Sequence, residues 1–310
     1  DGWLTSDNIP PVLRTAIARN SPDVYLLMMI IAKAEGIENP YSEEDRKFFR
    51  ATAYYLHWLV SDNKDKYKSD IVSDIYSKMI ETPGKGLRAI IMSVIAKFVA
   101  KNCLITLQTP EVFRSLVKPE MGREWNPSSG GNNTSSWWPL LNTVYYNREM
   151  LLYAQRDYMK INFSNYNPAM ADMWAEENRP WDYDHIVPQA WIHVKGQWGS
   201  EYTGYCEAWK DCIGNLAAIP FEKNRAKNDS PNWEEYGNNA ESLLVDGIIE
   251  DYPKLFSKEK LTREGEQHYH FALRTWGRLC RIYNEIYRLL ALVDLNTYQD
   301  RTIYSSGVNT

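Results

Sequence analysis

Asp184-His185-Ile186-Val187-Pro188-Gln189 opens the stretch on which the reading of this chain turns. Ile213-Gly214-Asn215-Leu216 follows, and then Lys223-Asn224-Arg225-Ala226-Lys227-Asn228-Asp229. Tyr183 to Val187 has strand character, and Pro188 ends it by removing a ladder donor. Asn215 to Ile219 is a second short strand, closed by Pro220. Phe221 to Asn228 is expected to be helical, with Asn224, Lys227 and Asn228 on one face through their i, i+3, i+4 spacing. Strand, strand, helix in that order is a ββα unit that can gather one metal ion. The insertion between the strands, Gln189 to Cys212, is expected to end in a short helix around Glu207 to Cys212.

The residue types in this unit suit hydrolysis of a phosphodiester. A water must lose a proton as it attacks phosphorus, and an imidazole with an ordinary pKa of about 6.5 takes it near neutral pH. Negative charge gathers on the phosphorane and on the departing 3′ oxygen, where a divalent cation offsets it. Such a cation needs hard oxygen ligands, and the carboxylate of Asp184 with the amide carbonyl of Asn224 supplies them in the manner of magnesium sites. Adjacent strand residues point to opposite faces. Asp184 and His185 can therefore serve metal and water together only if the strand twists or ends there.

These three pieces resemble the HNH (ββα-metal) endonucleases. With Ile213-Gly214-Asn215-Leu216 and the long helix beyond the site included, they are more similar to the C-terminal HNH domain of GmrSD-type, SspE-like modification-dependent restriction proteins. The match covers about 50 residues closely and a longer span of the chain loosely, and the first 120 residues have no pattern that can be placed. The resemblance implies a metal-dependent DNA endonuclease or nickase. Its catalytic residues would be His185 as general base and Asn215 as the brace of the loop that orients it. Asp184 and Asn224 would bind the metal, Mg2+ or Mn2+. Asn224 stands where the family's name expects a second histidine, which favours magnesium or manganese over zinc. The resemblance further implies restriction of foreign DNA, gated by a nucleotide-hydrolysing, modification-sensing domain for which this chain shows no counterpart.

Blander readings compete at each position. His185 can be a satisfied histidine at a strand end, and Gly214-Asn215 is ordinary turn chemistry. Lys223, Arg225 and Lys227 are either a solvated face or, beside a metal site, contacts for DNA phosphates. Arg274, Arg278 and Arg281, with Arg288, fall at i, i+4, i+7 and i+14 on the last long helix. They form either a solvent face, with Glu285 as partner, or a DNA-backbone track. The rival function is a non-catalytic nucleic-acid-binding module with a degenerate finger.

The whole chain sets bounds on this. Its 310 residues suffice for two ordinary domains, and 44% hydrophobic with 24% charged residues is a globular composition. The net charge of −5 requires any DNA partner to be met by a local basic patch. Cys103, Cys206, Cys212 and Cys280 contain no CxxC pair and read as buried reduced thiols. The longest apolar run, Val24 to Ala32, is too short for a bilayer, and no signal peptide opens the chain, so a cytoplasmic location is expected.

The expected fold class is mainly α, a helical bundle carrying a small ββα-metal finger. Residues 1–121 form a helical domain, 122–136 a loop or linker, and 137–310 the nuclease domain with its finger at about 181–229. Within the bundle, Ser21-Pro22-Asp23 starts a helix through Ala32 that should be buried on most sides. Ser42 and Asp45 form a capping box for a helix through Leu59. Further helices are expected at Ser69 to Ile80, Lys85 to Asn102, Leu140 to Lys160 and Thr262 to Val293. His193, Trp191 and Trp198 should pack on the finger, and a metal pair at His268 and His270 is disfavoured because a helix points them to different sides.

Overall fold

In the computed structural model, residues 6, 8–35, 40–60, 64–82, 86–116, 138–168, 178–192, 209–227, 230–246 and 265–294 are described. The chain divides into two compact units, 1–107 with 287–310, and 108–286. This division differs from the expected one near residue 121, because the last stretch of chain returns to the first unit. The segment 122–136, His193 and Trp198 lie outside the described residues, as does the side chain of His268.

The first unit is helical: α1 (Pro11–Asn20), α2 (Pro22–Ala34), α3 (Glu43–Trp58), α4 (Lys64–Glu81) and α5 (Leu87–Ala100). The helix at its centre is α3, in which every residue from Phe48 to Trp58 is buried. Ser42 caps it as its sequence requires, accepting from the Asp45 amide at 3.1 Å and donating to the Asp45 carboxylate at 2.7 Å. The apolar helix α2 was expected to be buried on most sides, yet Leu26 and Met29 are exposed on it. A helix with no polar face need not be surrounded, whereas the small residues Ala51, Thr52 and Ala53 let neighbours close on α3 from several sides. A polar cluster joins these helices: Ser21 Oγ lies 2.7 Å from His57 Nδ1, and Lys68 Nζ donates to Ser21 Oγ at 2.6 Å. The 3-10 turn Ala291–Val293 packs on α3.

The second unit contains α6 (Pro110–Ser115), α7 (Trp138–Tyr146), α8 (Arg148–Ala154), α9 (Arg156–Asn162), β1 (Trp181–His185), α10 (Gln189–Ile192), a 3-10 turn at Ile213–Asn215, β2 (Leu216–Pro220), α11 (Phe221–Ala226) and α12 (Trp233–Asn238). The long helix α13 (Gly265–Leu290) belongs to it as far as Ile286. The single helix expected over Leu140 to Lys160 is three helices. Asn147 breaks it by taking the cap position, its Oδ1 accepting from the Met150 amide at 3.1 Å. Gln155 breaks it again, with its Oε1 turned to the Ala218 amide at 3.0 Å. Both residues exchange helical continuity for a side-chain bond to main chain.

Strand β1 pairs antiparallel with β2, setting Asp184 opposite Ala217 and His185 opposite Leu216. The turn before β2 and the start of β2 meet α13 at Arg278, which donates to the carbonyls of Ile213, Gly214 and Leu216. Trp276, Leu279, Tyr283 and Ile286 are buried as their spacing requires, and Phe113 stacks on both Trp276 (5.4 Å) and Tyr283 (3.8 Å between centroids). Cys103, Cys212 and Cys280 are buried free thiols, and burial pushes that of Cys280 up to about 12. Among the described residues no helix is long and apolar enough to cross a membrane.

Candidate active site

Alternation along β1 separates two sets of contacts. Asp182 and Asp184 reach the residues in and after α11 and those of α12. Tyr183 and His185 reach arginines and an aspartate supplied by other segments.

The first set is dense with hydrogen bonds. Asp184 is 2% exposed, and its carboxylate accepts from Lys227 Nζ, from the Tyr236 hydroxyl and from Asn232 Nδ2 at 3.2 Å. A carboxylate so far out of water needs a cation and full hydrogen bonding, and these three donors supply both. Asn224 stands beside Asp182 rather than Asp184, its Nδ2 donating to Asp182 Oδ2 at 3.4 Å. Arg225 reaches the same oxygen at 3.5 Å while its guanidinium lies over Phe221. Lys223 pairs with the buried Glu235, which also accepts from Tyr158 and from Asn239 at 3.1 Å. Burial and that carboxylate together raise the Tyr158 phenol well above its ordinary range.

The second set holds the imidazole. His185 Nε2 lies 3.1 Å from Asp211 Oδ1, an aspartate half exposed to solvent. Asp211 accepting from Nε2–H leaves Nδ1 with its lone pair, the form a general base needs. Nothing in the sequence marked Asp211. It sits in an insertion whose path no pattern specifies, and proximity to Asn215 was the only available signal.

Asn215 is fully buried and works as a brace. Its Oδ1 accepts from the Val187 amide at 3.0 Å, and its Nδ2 donates to the carbonyls of Val187 (3.3 Å) and Lys210 (2.9 Å). Val187 follows His185 by two residues and Lys210 precedes Asp211, so one amide fixes the backbone on both sides of the imidazole–carboxylate pair. Gly214 beside it admits no side chain, since a Cβ there would fall on the Thr275 carbonyl of α13.

Two residues assigned to a DNA track are displaced from that role. Arg278 is wholly buried; it donates to the carbonyls of Ile213 (2.9 Å), Gly214 (3.1 Å), Leu216 (2.6 Å) and Leu243 (3.0 Å). Arg281 bonds to the carbonyls of Leu244 (3.1 Å) and Asp246 (2.9 Å) and to the Asp246 carboxylate. Equal spacing along a helix does not say which side faces the protein, and here Arg278 turns inward while Arg288 stays exposed. Arg274, one turn before Arg278, is half-buried. Lys227 likewise is largely buried against Asp184 rather than presented to solvent.

Asp182, Asp184 and Asn224 carry the hard oxygens that could take part in holding a metal, although among the described residues no three His, Cys, Asp or Glu side chains come together as a metal-holding group. Hard oxygens suit magnesium or manganese, which take one or two carboxylates and leave the remaining positions to water and phosphate. Comparison with protein-family models, with curated proteins and with solved structures gave no match.

Proposed function

We propose that this chain is a metal-dependent DNA endonuclease of the HNH type, cutting or nicking the phosphodiester backbone. The observation that carries the reading is an imidazole held by a carboxylate at the end of β1, His185 with Asp211, with Asp184 its neighbour in the chain and Asp182 and Asn224 on the strand's other side. Because β1 ends at His185, the neighbouring side chains serve two sides of one strand terminus. His185 Nδ1 takes a proton from water as its oxygen bonds to phosphorus. The P–O3′ bond breaks, the 3′ oxygen is protonated from solvent, and the products carry a 5′ phosphate and a 3′ hydroxyl. Asp211 holds the ring, and Asn215 holds the segments bearing both. Asp184 and Asn224, with Asp182 beside them, would hold Mg2+ or Mn2+, which when bound supplies positive charge at the phosphate oxygens. Restriction of foreign DNA, under the control of a nucleotide-hydrolysing, modification-sensing partner, is the biological role that fits this chemistry.

One observation favours a second reading, a nucleic-acid-binding module without catalysis. The Asp184 carboxylate is already matched by Lys227, Asn232 and Tyr236, and a cation must displace the lysine to use it. Incubating supercoiled plasmid with the parent chain and with His185→Ala, in magnesium or manganese and again with chelator, separates the two. Nicked or linear product from the parent alone, and only with metal, is the expected outcome; His185→Ala should lose at least 100-fold in rate, roughly the lower end of what general-base catalysis provides. DNA binding without cleavage under any metal would favour the module, and undiminished cleavage by His185→Ala would remove the assigned base.

A further inference from the structure

We propose that Arg148 and Arg179, gathered on the ring of Tyr183, are the grip that holds a nucleic-acid backbone past His185. This rests on the nuclease reading for its orientation and goes beyond it in naming the surface. Arg148 is the first residue of α8, placed by the Asn147 cap, and is exposed. Arg179 lies just before β1, where its Nε donates to the Trp181 carbonyl at 3.1 Å. The two guanidinium carbons stand 4.8 and 5.0 Å from the Tyr183 ring centroid. Arginines from two segments thus meet one aromatic ring, whose negative face attracts both.

The geometry suits phosphate. A cation–π contact uses the face of a guanidinium and leaves its N–H edge for an acceptor. That edge forms the forked bonds in which arginine recognises phosphate oxygens. Tyr183 and His185 are two residues apart on the same face of β1, so their backbone positions lie about 6.6–6.8 Å apart along the strand. That is the scale of one nucleotide step, so a strand held by the arginines would run past the base. Of the cations singled out from the sequence, Arg278 and Arg281 are engaged on carbonyls, Lys227 on Asp184 and Lys223 on Glu235, while Arg274 is half-buried and Arg225 is largely exposed beside Asp182. The acids on this side are Glu149, whose field acts on the Tyr183 hydroxyl, and Asp211, which is turned to His185. With a chain charge of −5, attraction for DNA has to come from a local pair of this kind.

The test is binding of a fluorescein-labelled DNA duplex, followed by anisotropy across a salt series in the His185→Ala background. Arg148→Gln, Arg179→Gln and the double variant are compared with Lys47→Gln, an exposed lysine of the first unit. Each arginine lost should lower the slope of log K against log salt by about 0.9, and the double variant by about 1.8, with Lys47→Gln unchanged. Arg148→Lys with Arg179→Lys should restore the slope at weaker affinity, which a mere folding defect would not allow. A parent that cuts plasmid while the double variant keeps the full slope overturns the grip and leaves the nuclease standing. A parent that neither binds nor cuts DNA overturns both.

Discussion

Arg278 shows how far a single residue can depart from what its type suggests. Arginines at helical spacing on a long helix are ordinarily a solvated or phosphate-facing stripe, and nothing in the residue itself marks one as a core strut. Here its guanidinium is wholly buried and fills the hydrogen-bonding capacity of four main-chain carbonyls around the Ile213–Asn215 turn and Leu243. Replacing it with methionine keeps much of the volume but removes the guanidinium donors from all four carbonyls, of which Ile213 keeps the Leu216 amide. Arg278→Met should therefore lose about 3 kcal/mol or more of stability, read as a shift of the denaturation midpoint. A loss below about 0.5 kcal/mol, the size of an ordinary surface substitution, would mean that the strut carries no weight. Asp184 and His185 could be singled out as candidates because their chemistry is rare in combination. Asp182 and Asp211 were not, since a single aspartate means nothing until the fold brings it to Asn224 or His185.

Elements were easiest to read where side chains and main chain agreed. The Ser42 box, the end of β2 at Pro220, and the buried positions of α13 follow from local pattern, whereas β1 runs Trp181–His185 and ends short of Pro188. Pattern failed at α7 to α9, where Asn147 and Gln155 interrupt a continuous apolar period with single side-chain bonds. It failed also at α2, because hydrophobicity reports transfer preference and not how many neighbours a helix can admit. The glycines illustrate the same limit. Gly214 and Gly277 look alike in sequence, yet a Cβ at Gly214 would collide with the Thr275 main chain while one at Gly277 meets nothing within 4 Å. Gly214→Ala should destabilise by roughly 1–3 kcal/mol through overpacking against backbone that cannot give. Gly277→Ala, in the interior of α13, should stabilise by about 0.5–1 kcal/mol. Thermal melts of the two variants check both signs, and a neutral Gly214→Ala would show that the turn can move away from α13.

At the scale of the whole molecule, the mainly helical class and the presence of one small strand pair were within reach of composition and period. The division of the chain was not. A break in polarity near residue 122 suggests a boundary there, but a unit is defined by which segments share a core, and the residues from Tyr287 onward share theirs with 1–107. The Arg278 strut has a temporal consequence as well. Its partners lie 62–65 residues away at Ile213 to Leu216 and 35 residues away at Leu243. Bringing such distant segments together costs loop entropy before any bond forms, so these contacts belong to the late side of the folding barrier. Arg278→Met should then speed unfolding in denaturant jumps while leaving the refolding rate nearly unchanged; a slowed refolding limb would place the strut in the nucleus instead. On this view the buried arginine is a latch on the lifetime of the folded strand pair, holding the end of β1 closed for longer than its few strand hydrogen bonds would hold it alone.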